Sequence, residues 1–330
     1  MTRRTGHMDL YVFFSVLALM LFSIGVVYSA SIQISEARHS GDYTYLFRTH
    51  TIRVVLGILA LFVGMVIDYH FYMKISKWLL VLGICFLVFT LFRGSEANGA
   101  QRWFSLGPIR FQPSEFAKFA LVIHLAVLLS MKQQYIRNFK TGYLPLLLWI
   151  CIVVGLIFKQ PNFSTGSLIL AISFMLLFIG RVKVVHMVGT VTAGLPVLIV
   201  FLLTADYRMK RLLAYFTTET ETSTKVLNSK YQIEQAVIGL GNGGLFGVGM
   251  GMSKQRELFL PESYTDFIYA IVGEEYGLIG AVAVLAVFVL FIARGMKIAR
   301  HAKDELGRFL AAGITITIGM YAMVNAMVTT

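Results

Sequence analysis

Apolar residues in this chain come in long blocks, without the alternation that marks half-buried strands or surface helices. Uncharged runs at 10–30, 161–180, 184–205 and 309–330 each approach the roughly 20 residues that cross a hydrocarbon core as a helix. Further uncharged runs lie at 54–67, 78–92, 116–131 (broken by Lys118) and 141–158. A ninth block, 267–292, is interrupted only by Glu274 and Glu275. The pattern predicts an all-α, polytopic integral membrane helical bundle with nine spans. The two glutamates raise a question, because a carboxylate beside lipid is expensive and needs a partner.

Nine spans put the connections 31–52, 93–114, 159–165 and 205–265 on the face opposite the amino terminus. The last is much the longest and forms a loop between spans seven and eight; a connection of that length is usually functional or disordered. It opens with the polar stretch TTETETSTK. KYQIEQAVIGL follows, with apolar residues at helical spacing that suit a short amphipathic helix in the membrane interface. Then comes GLGNGGLFGVGMG, in which Gly239, Gly241 and Gly244 satisfy GxGxxG formally. No strand precedes it, so the dinucleotide-binding context is missing. A loop whose bare backbone approaches another element closely is expected instead. There is no obvious repeat or soluble domain. Residues 1–330 read as a single transmembrane domain, with 205–265 as its long extracytoplasmic loop.

Composition agrees: 57% of residues are hydrophobic and 14% charged, against about 25% charged in a soluble domain. The net charge of +12 could suggest nucleic acid. Its distribution points elsewhere. Arg3, Arg4, Lys74, Lys77, Lys132, Arg137, Lys140, Arg181, Lys183 and the cluster Arg294 to Arg308 all fall on the amino-terminal side of the bundle. The positive-inside rule places that side, and the amino terminus, in the cytoplasm. The first run follows two arginines and contains YSAS, the layout of a signal peptide. It is too long for a signal core and eight more spans follow, so it reads as a span. Cys85 and Cys151 lie inside spans without a CxxC pair, and the seven histidines form no HExxH. Neither a zinc site nor a disulfide framework is indicated.

Three polar clusters remain, all entering even-numbered spans from the outer face: NGAQRWFSLGPIRFQPSEFAK (98–118), KQPNFSTGS (159–167) and LPESYTDF (260–267). Helix capping explains much of each. Ser114, Asn162 or Ser164, and Thr265 or Asp266 are good N-caps, and prolines stand just upstream. Capping does not explain why Arg102, Arg110, Lys118, Lys159, Arg211 and Arg256 gather at the same level. Several helix amino termini with added cations suit a phosphate or pyrophosphate. A carboxylate among them could act as general base or hold a divalent cation. A pyrophosphate at membrane level suggests a lipid-linked substrate. Glu274 and Glu275 point to different sides of a helix, so both cannot line the face of Asp266. Pairing with a basic or hydroxyl group between helices is expected for one or both.

These clusters, in this order, resemble the SEDS family of bacterial membrane proteins, which includes FtsW, RodA and SpoVE. The matching residues are Gly99–Trp103 with Gln112–Lys118, then Gln160–Gly166, then Gly243–Gly277, ending in LPESYTDFIYAIVGEEYG. The resemblance covers essentially the whole chain. GVGMGMSKQRELFLPE and LFSIGVVYSAS are most similar to the FtsW branch. It implies peptidoglycan glycosyl transfer: polymerisation of lipid II, an undecaprenyl-pyrophosphate disaccharide-pentapeptide, into β-1,4 glycan on the outer side of the cytoplasmic membrane during cell division. The implied partners are a class B penicillin-binding protein, which crosslinks the strands, and other division membrane proteins. No tightly bound cofactor is implied; a divalent cation, Mg or Mn, could accompany the pyrophosphate.

By the same resemblance Asp266 is the catalytic residue, activating the acceptor sugar hydroxyl directly or through a metal ion. Trp103, Glu115, Lys118, Arg102, Gln112, Asn162, Gln255 and Arg211 are substrate-binding positions, with Lys118 near the pyrophosphate and Glu115 holding Lys118 or a cation. Three positions depart from the family pattern: Asn162 stands for an aspartate, Tyr264 for a histidine and Ala236 for a serine. The family has ten spans, so a tenth is expected beyond Thr330. A lipid II flippase, a RodA-like elongation polymerase and a non-catalytic scaffold are the competing functions. A flippase calls for polar residues down to the inner leaflet, and a scaffold tolerates loss of Asp266.

Overall fold

A computed structural model describes residues 8–97, 100–106, 109–160, 162–203, 224–260 and 263–329. Ten α-helices occupy most of them: α1 Leu10–Arg38, α2 Tyr45–Val66, α3 Phe71–Arg93, α4 Pro113–Lys132, α5 Leu144–Lys159, α6 Phe163–Ile179, α7 Val184–Leu203, α8 Thr224–Gly243, α9 Ile268–His301 and α10 Glu305–Thr329. Seven are long and apolar enough to cross a membrane: α1 to α4, α5 with the π-helical turn before it, α9 and α10. Shorter apolar helices lie at Phe163–Ile179 and Val184–Pro196. Each of the nine apolar runs carries a helix over most of its described residues, and seven of these helices have the length and hydropathy of a span. Cys85 and Cys151 are free thiols on α3 and α5.

The chain forms two compact units, one of 1–66, 195–294 and 321–330, the other of 67–194 and 295–320. In the second unit α4 is the central helix. Ala117, Leu121, Leu125 and Leu129 are fully buried along it, at the four-residue spacing that keeps side chains on one helix face. Its neighbour α3 comes so close at Gly83 that a Cβ there would sit 3.2 Å from the Cα of Ala117. His124, also on α4, meets the Ser76 hydroxyl at 3.2 Å and stands edge-on to Trp149. That local bond makes it a satisfied core histidine.

Between α3 and α4 the bundle carries a small antiparallel meander of β1 Ser95–Ala97, β2 Ala100–Leu106 and β3 Ile109–Phe111. Phe111, at its end, packs with Phe86 and Phe116 at ring separations of 5.7 and 6.3 Å. A polar clasp links the α2–α3 and α9–α10 connections. Asp304 accepts a hydrogen bond from the Tyr69 hydroxyl (2.9 Å) and pairs with Nε2 of His70 (3.1 Å). Nδ1 of His70 faces Asp68 at 2.8 Å. The hydrogen bond to Asp68, with the charge of Asp304 added, holds the His70 imidazole above its usual pKa. Burial, then the Asp304 bond, push the Tyr69 hydroxyl up to about 12.

In the first unit Asp9 caps α1, its Oδ1 accepting from the backbone of Tyr11 (3.0 Å) and Val12 (3.2 Å). A carboxylate suits a helix amino terminus, and Arg294 balances it at 3.1 Å while lying over the Tyr11 ring. The amphipathic segment read from the sequence is a full helix, α8. Ala236, Gly239 and Gly243 are buried on it.

The apolar run 267–292 does not form one regular helix. At Gly277 (φ 68°, ψ −168°) α9 leaves helical geometry, which frees backbone groups that must find partners within a membrane. The glycine-rich loop supplies them. Val248 and Gly249 donate to the carbonyls of Glu274 and Glu275 at 3.0 and 3.1 Å. Leu278 and Ile279 donate to Gly244 and Leu245 at 2.9 and 3.2 Å. The approach requires glycine on both sides. At Gly247 (φ 83°) a Cβ would overlap the carbonyl of Glu275 and lie 2.7 Å from the nitrogen of Gly277.

Candidate active site

Asp266 lies on a turn, two residues before α9 begins at Ile268, and not on the helix itself. Asp266 therefore shares no helix face with Glu274 or Glu275. The turn is seated on a small apolar cluster, in which Leu260, Phe267, Ala270 and Ile271 pack with Ala30 and Ala236, and Tyr264 leans on them. Ser263 fixes it further by donating to the carbonyl of Ala30 on α1 at 3.1 Å. Asp266 itself is exposed, and the Asn325 amide donates to its backbone carbonyl at 3.3 Å. Among the described residues its carboxylate has no hydrogen bond or ion pair. The result is an exposed carboxylate on a turn anchored to α1.

Glu274 and Glu275, 1% and 2% exposed, answer to the glycine loop. The Glu274 carboxylate accepts from the Ser253 hydroxyl and from the backbone N–H groups of Lys254 (3.2 Å) and Gln255 (3.3 Å). Oε1 of Glu275 accepts from the Ser29 hydroxyl on α1 and from the N–H of Gly251 (3.0 Å). A basic or hydroxyl partner was expected for one or both glutamates, and each meets a serine hydroxyl. The backbone donors were not expected, because no local spacing announces that residues 251–255 return to α9. Ser29 was missed too, although the YSASIQIS segment is unusually polar for a span, with Ser29, Ser31 and Ser35 all buried. Gln255 belongs to this network through its backbone, and its side-chain oxygen is buried without a hydrogen bond among the described residues.

In the second unit the QPSE segment starts α4. Pro113 is the first helical residue and Gln112 the N-cap, with its carbonyl accepting from Glu115 at 3.1 Å. Ser114, expected as the cap, instead lies buried inside the first turn: proline, lacking an N–H, fits the first helical position and moves the cap one residue upstream. One turn on, Lys118 is 3% exposed and its ammonium meets Oε2 of Glu115 at 2.6 Å. It also stands 4.9 Å from the Phe119 ring centre. The Glu115 side chain is 44% exposed, so this buried cation is neutralised by a carboxylate within reach of solvent or ligand.

Trp103 sits half-buried on β2, paired across the meander with Ser95. Asn162 occupies the N-cap of α6 as foreseen, but its carbonyl, not its side chain, makes the bond, to Gly166 N at 3.1 Å. Gln160 ties that segment to α3 through Leu87 O at 2.9 Å. The structure thus joins Glu115 to Lys118 in the second unit and Gln255 to Glu274 in the first, where Asp266 stands on its own turn. The side chains of Arg102 and Arg110, and all of Arg211, lie outside the described residues. Among the described residues no three His, Cys, Asp or Glu side chains converge on a metal position.

A polytopic helical membrane protein, with an exposed carboxylate set on a helix-entry turn and a buried lysine held by glutamate, is the class these features define. Residues 9–330 match the family described as cell cycle protein FTSW_RODA_SPOVE, and the chain belongs to that family. A probable peptidoglycan glycosyltransferase FtsW of Geobacter metallireducens is 35% identical, covering 98% of this chain and 85% of that protein. The stage V sporulation protein E of Bacillus subtilis is 34% identical over 100% of this chain and 89% of its own length. Two solved structures share the fold at 23% identity. One is a chain of a peptidoglycan synthase complex, with a TM-score of 0.74, covering 97% of this chain and 87% of that one. The other is the rod shape determining protein RodA of Thermus thermophilus, with a TM-score of 0.67, covering 96% and 84%.

Proposed function

We propose that this chain is a peptidoglycan glycosyltransferase that polymerises lipid II into β-1,4 glycan on the outer face of the bacterial cytoplasmic membrane, in the wall synthesis of cell division. The exposed Asp266 on its fixed turn carries the reading. The acceptor sugar hydroxyl attacks the anomeric carbon of the donor, and the bond from that carbon to the pyrophosphate oxygen breaks. The hydroxyl proton passes to the Asp266 carboxylate. Lys118 meets the negative charge that grows on the departing pyrophosphate, exchanging Glu115 for a phosphate oxygen; a charge-assisted bond of this kind strengthens as charge develops. Were a divalent cation bound with the substrate, Asp266 would be the residue to hold it, and the cation would offset the charge of the pyrophosphate. The names of the FtsW relatives support the reaction. The distribution of basic residues supports a cytoplasmic amino terminus. A class B penicillin-binding protein is the proposed partner, which would crosslink the product.

A flippase draws its support in the sequence from the glutamates of α9. Their hydrogen bonds to the 251–255 backbone and to Ser29 now account for both, which favours the polymerase. The deciding experiment is polymerisation of purified lipid II by the full-length protein with its transpeptidase partner, as wild type and as Asp266→Asn. Long glycan is expected from the wild type alone. Glycan from both, or from neither with the complex intact, overturns the proposal; lipid II transport across vesicles would then be assayed.

A further inference from the structure

We propose that Glu274 and Glu275 are positioning residues for Asp266, pinning through residues 251–255 the chain on which that carboxylate is set. The inference rests on the reading of Asp266 as the reacting group. Two carboxylates at 1% and 2% exposure are costly to keep, and neither bonds to Asp266. Among the described residues every donor they accept from belongs to residues 251–255 or to Ser29. From Gln255 the chain makes one π-helical turn, Gln255–Phe259, to the fully buried Leu260, and Asp266 follows six residues on. Neighbouring positions of α1 take part at both ends: the Ser29 hydroxyl shares Oε1 of Glu275 with the N–H of Gly251, and the Ala30 carbonyl takes the Ser263 hydroxyl. Held so, Asp266 can be exposed and still fixed.

The two glutamates differ in a way that separates positioning from charge. Both oxygens of Glu274 accept hydrogen bonds. For Glu275 one oxygen accepts both of its bonds and Oε2 is buried without a partner among the described residues. Glutamine at 275 keeps every bond, its amide nitrogen taking the place of the unused oxygen. Glutamine at 274 must turn an amide donor toward an N–H or hydroxyl that already donates. A role that needs charge, such as holding a cation or moving a proton, is lost on glutamine at either position.

The test is lipid II polymerisation kinetics of the full-length protein with its partner. Glu275→Ala is expected to lower kcat about 10²-fold, the scale of a misplacement near 1 Å, with KM for lipid II unchanged. Glu275→Gln should restore kcat to within about twofold, as for a neutral substitution. Glu274→Gln should stay as low as Glu274→Ala. Ser29→Ala, which removes one donor and no buried charge, should fold normally and lower kcat about tenfold; it decides the matter if the alanine variants at 274 and 275 fail to fold. Wild-type kcat in Glu275→Ala or in Ser29→Ala, or no rescue by Glu275→Gln, overturns positioning while leaving the polymerase reading intact. Absence of glycan from the wild type overturns both.

Discussion

Gly247→Ala tests the junction between the glycine loop and the break in α9. Alanine there carries two costs. A positive φ disfavours any Cβ by about 1–2 kcal/mol, and the new methyl overlaps the Glu275 carbonyl, an overpacking term of about 1–3 kcal/mol. The sum, about 2–5 kcal/mol, is comparable with the four backbone hydrogen bonds at stake, each worth about 1 kcal/mol net. Gly244 provides the control. Its φ is also positive, at 54°, but no atom lies within 4 Å of a Cβ built there, so only the first cost applies. Hydrogen exchange read by mass spectrometry on the purified protein measures the opening directly. In Gly247→Ala the amides of Val248, Gly249, Leu278 and Ile279 should exchange roughly 30-fold faster or more, since 1.4 kcal/mol is a factor of ten. Gly244→Ala should show a clearly smaller change. Unchanged exchange in Gly247→Ala, or equal effects at both glycines, would refute the reasoning.

Lys118→Ala should lower kcat/KM for lipid II by about 10- to 100-fold, the worth of one hydrogen bond to a charged group. Lys118→Met, which keeps the buried stem, should lose as much activity with a smaller loss of thermal stability; equal losses of both in the two variants would mark Lys118 as structural. His70 sets a pH dependence. Its folded pKa is raised, so its contribution is present below the unfolded value near 6.5 and fades as pH rises through the folded value. Melting temperature should therefore fall slightly from pH 6 to 8, and His70→Gln should flatten that slope; the site is half exposed, so the effect is small. Excess chelator should stop polymerisation and added Mg or Mn restore it, with full activity in chelator excluding a cation.

The spans were legible because lipid imposes a simple demand: a backbone that satisfies itself and a run of apolar side chains. The clusters around Lys118 and Asp266 were legible for the converse reason, since polar residues at the mouth of a span need a cause. What could not be read was non-local. Gly277 sits in an apolar run that hydropathy treats as continuous, and only the arrival of residues 244–249 makes its break affordable. Ser29 looked like part of a cleavage-site pattern, and its meaning depends on a glutamate 246 residues away. The meander at 95–111 was hidden by its shortness and polarity.

The register between the glycine loop and α9 also bears on length. Connections between spans ordinarily accept inserted or deleted residues, which is why they are chosen for tags and fusions. Here donors and acceptors on both strands interlock over 244–249 and 274–279. One added residue between Leu245 and Val248 would put the bonds at 244–245 out of register with those at 248–249 and crowd the position where Gly247 meets Glu275. Reporter insertions should therefore be rejected in this stretch, and the six residues amount to a gauge of fixed length within an otherwise long connection.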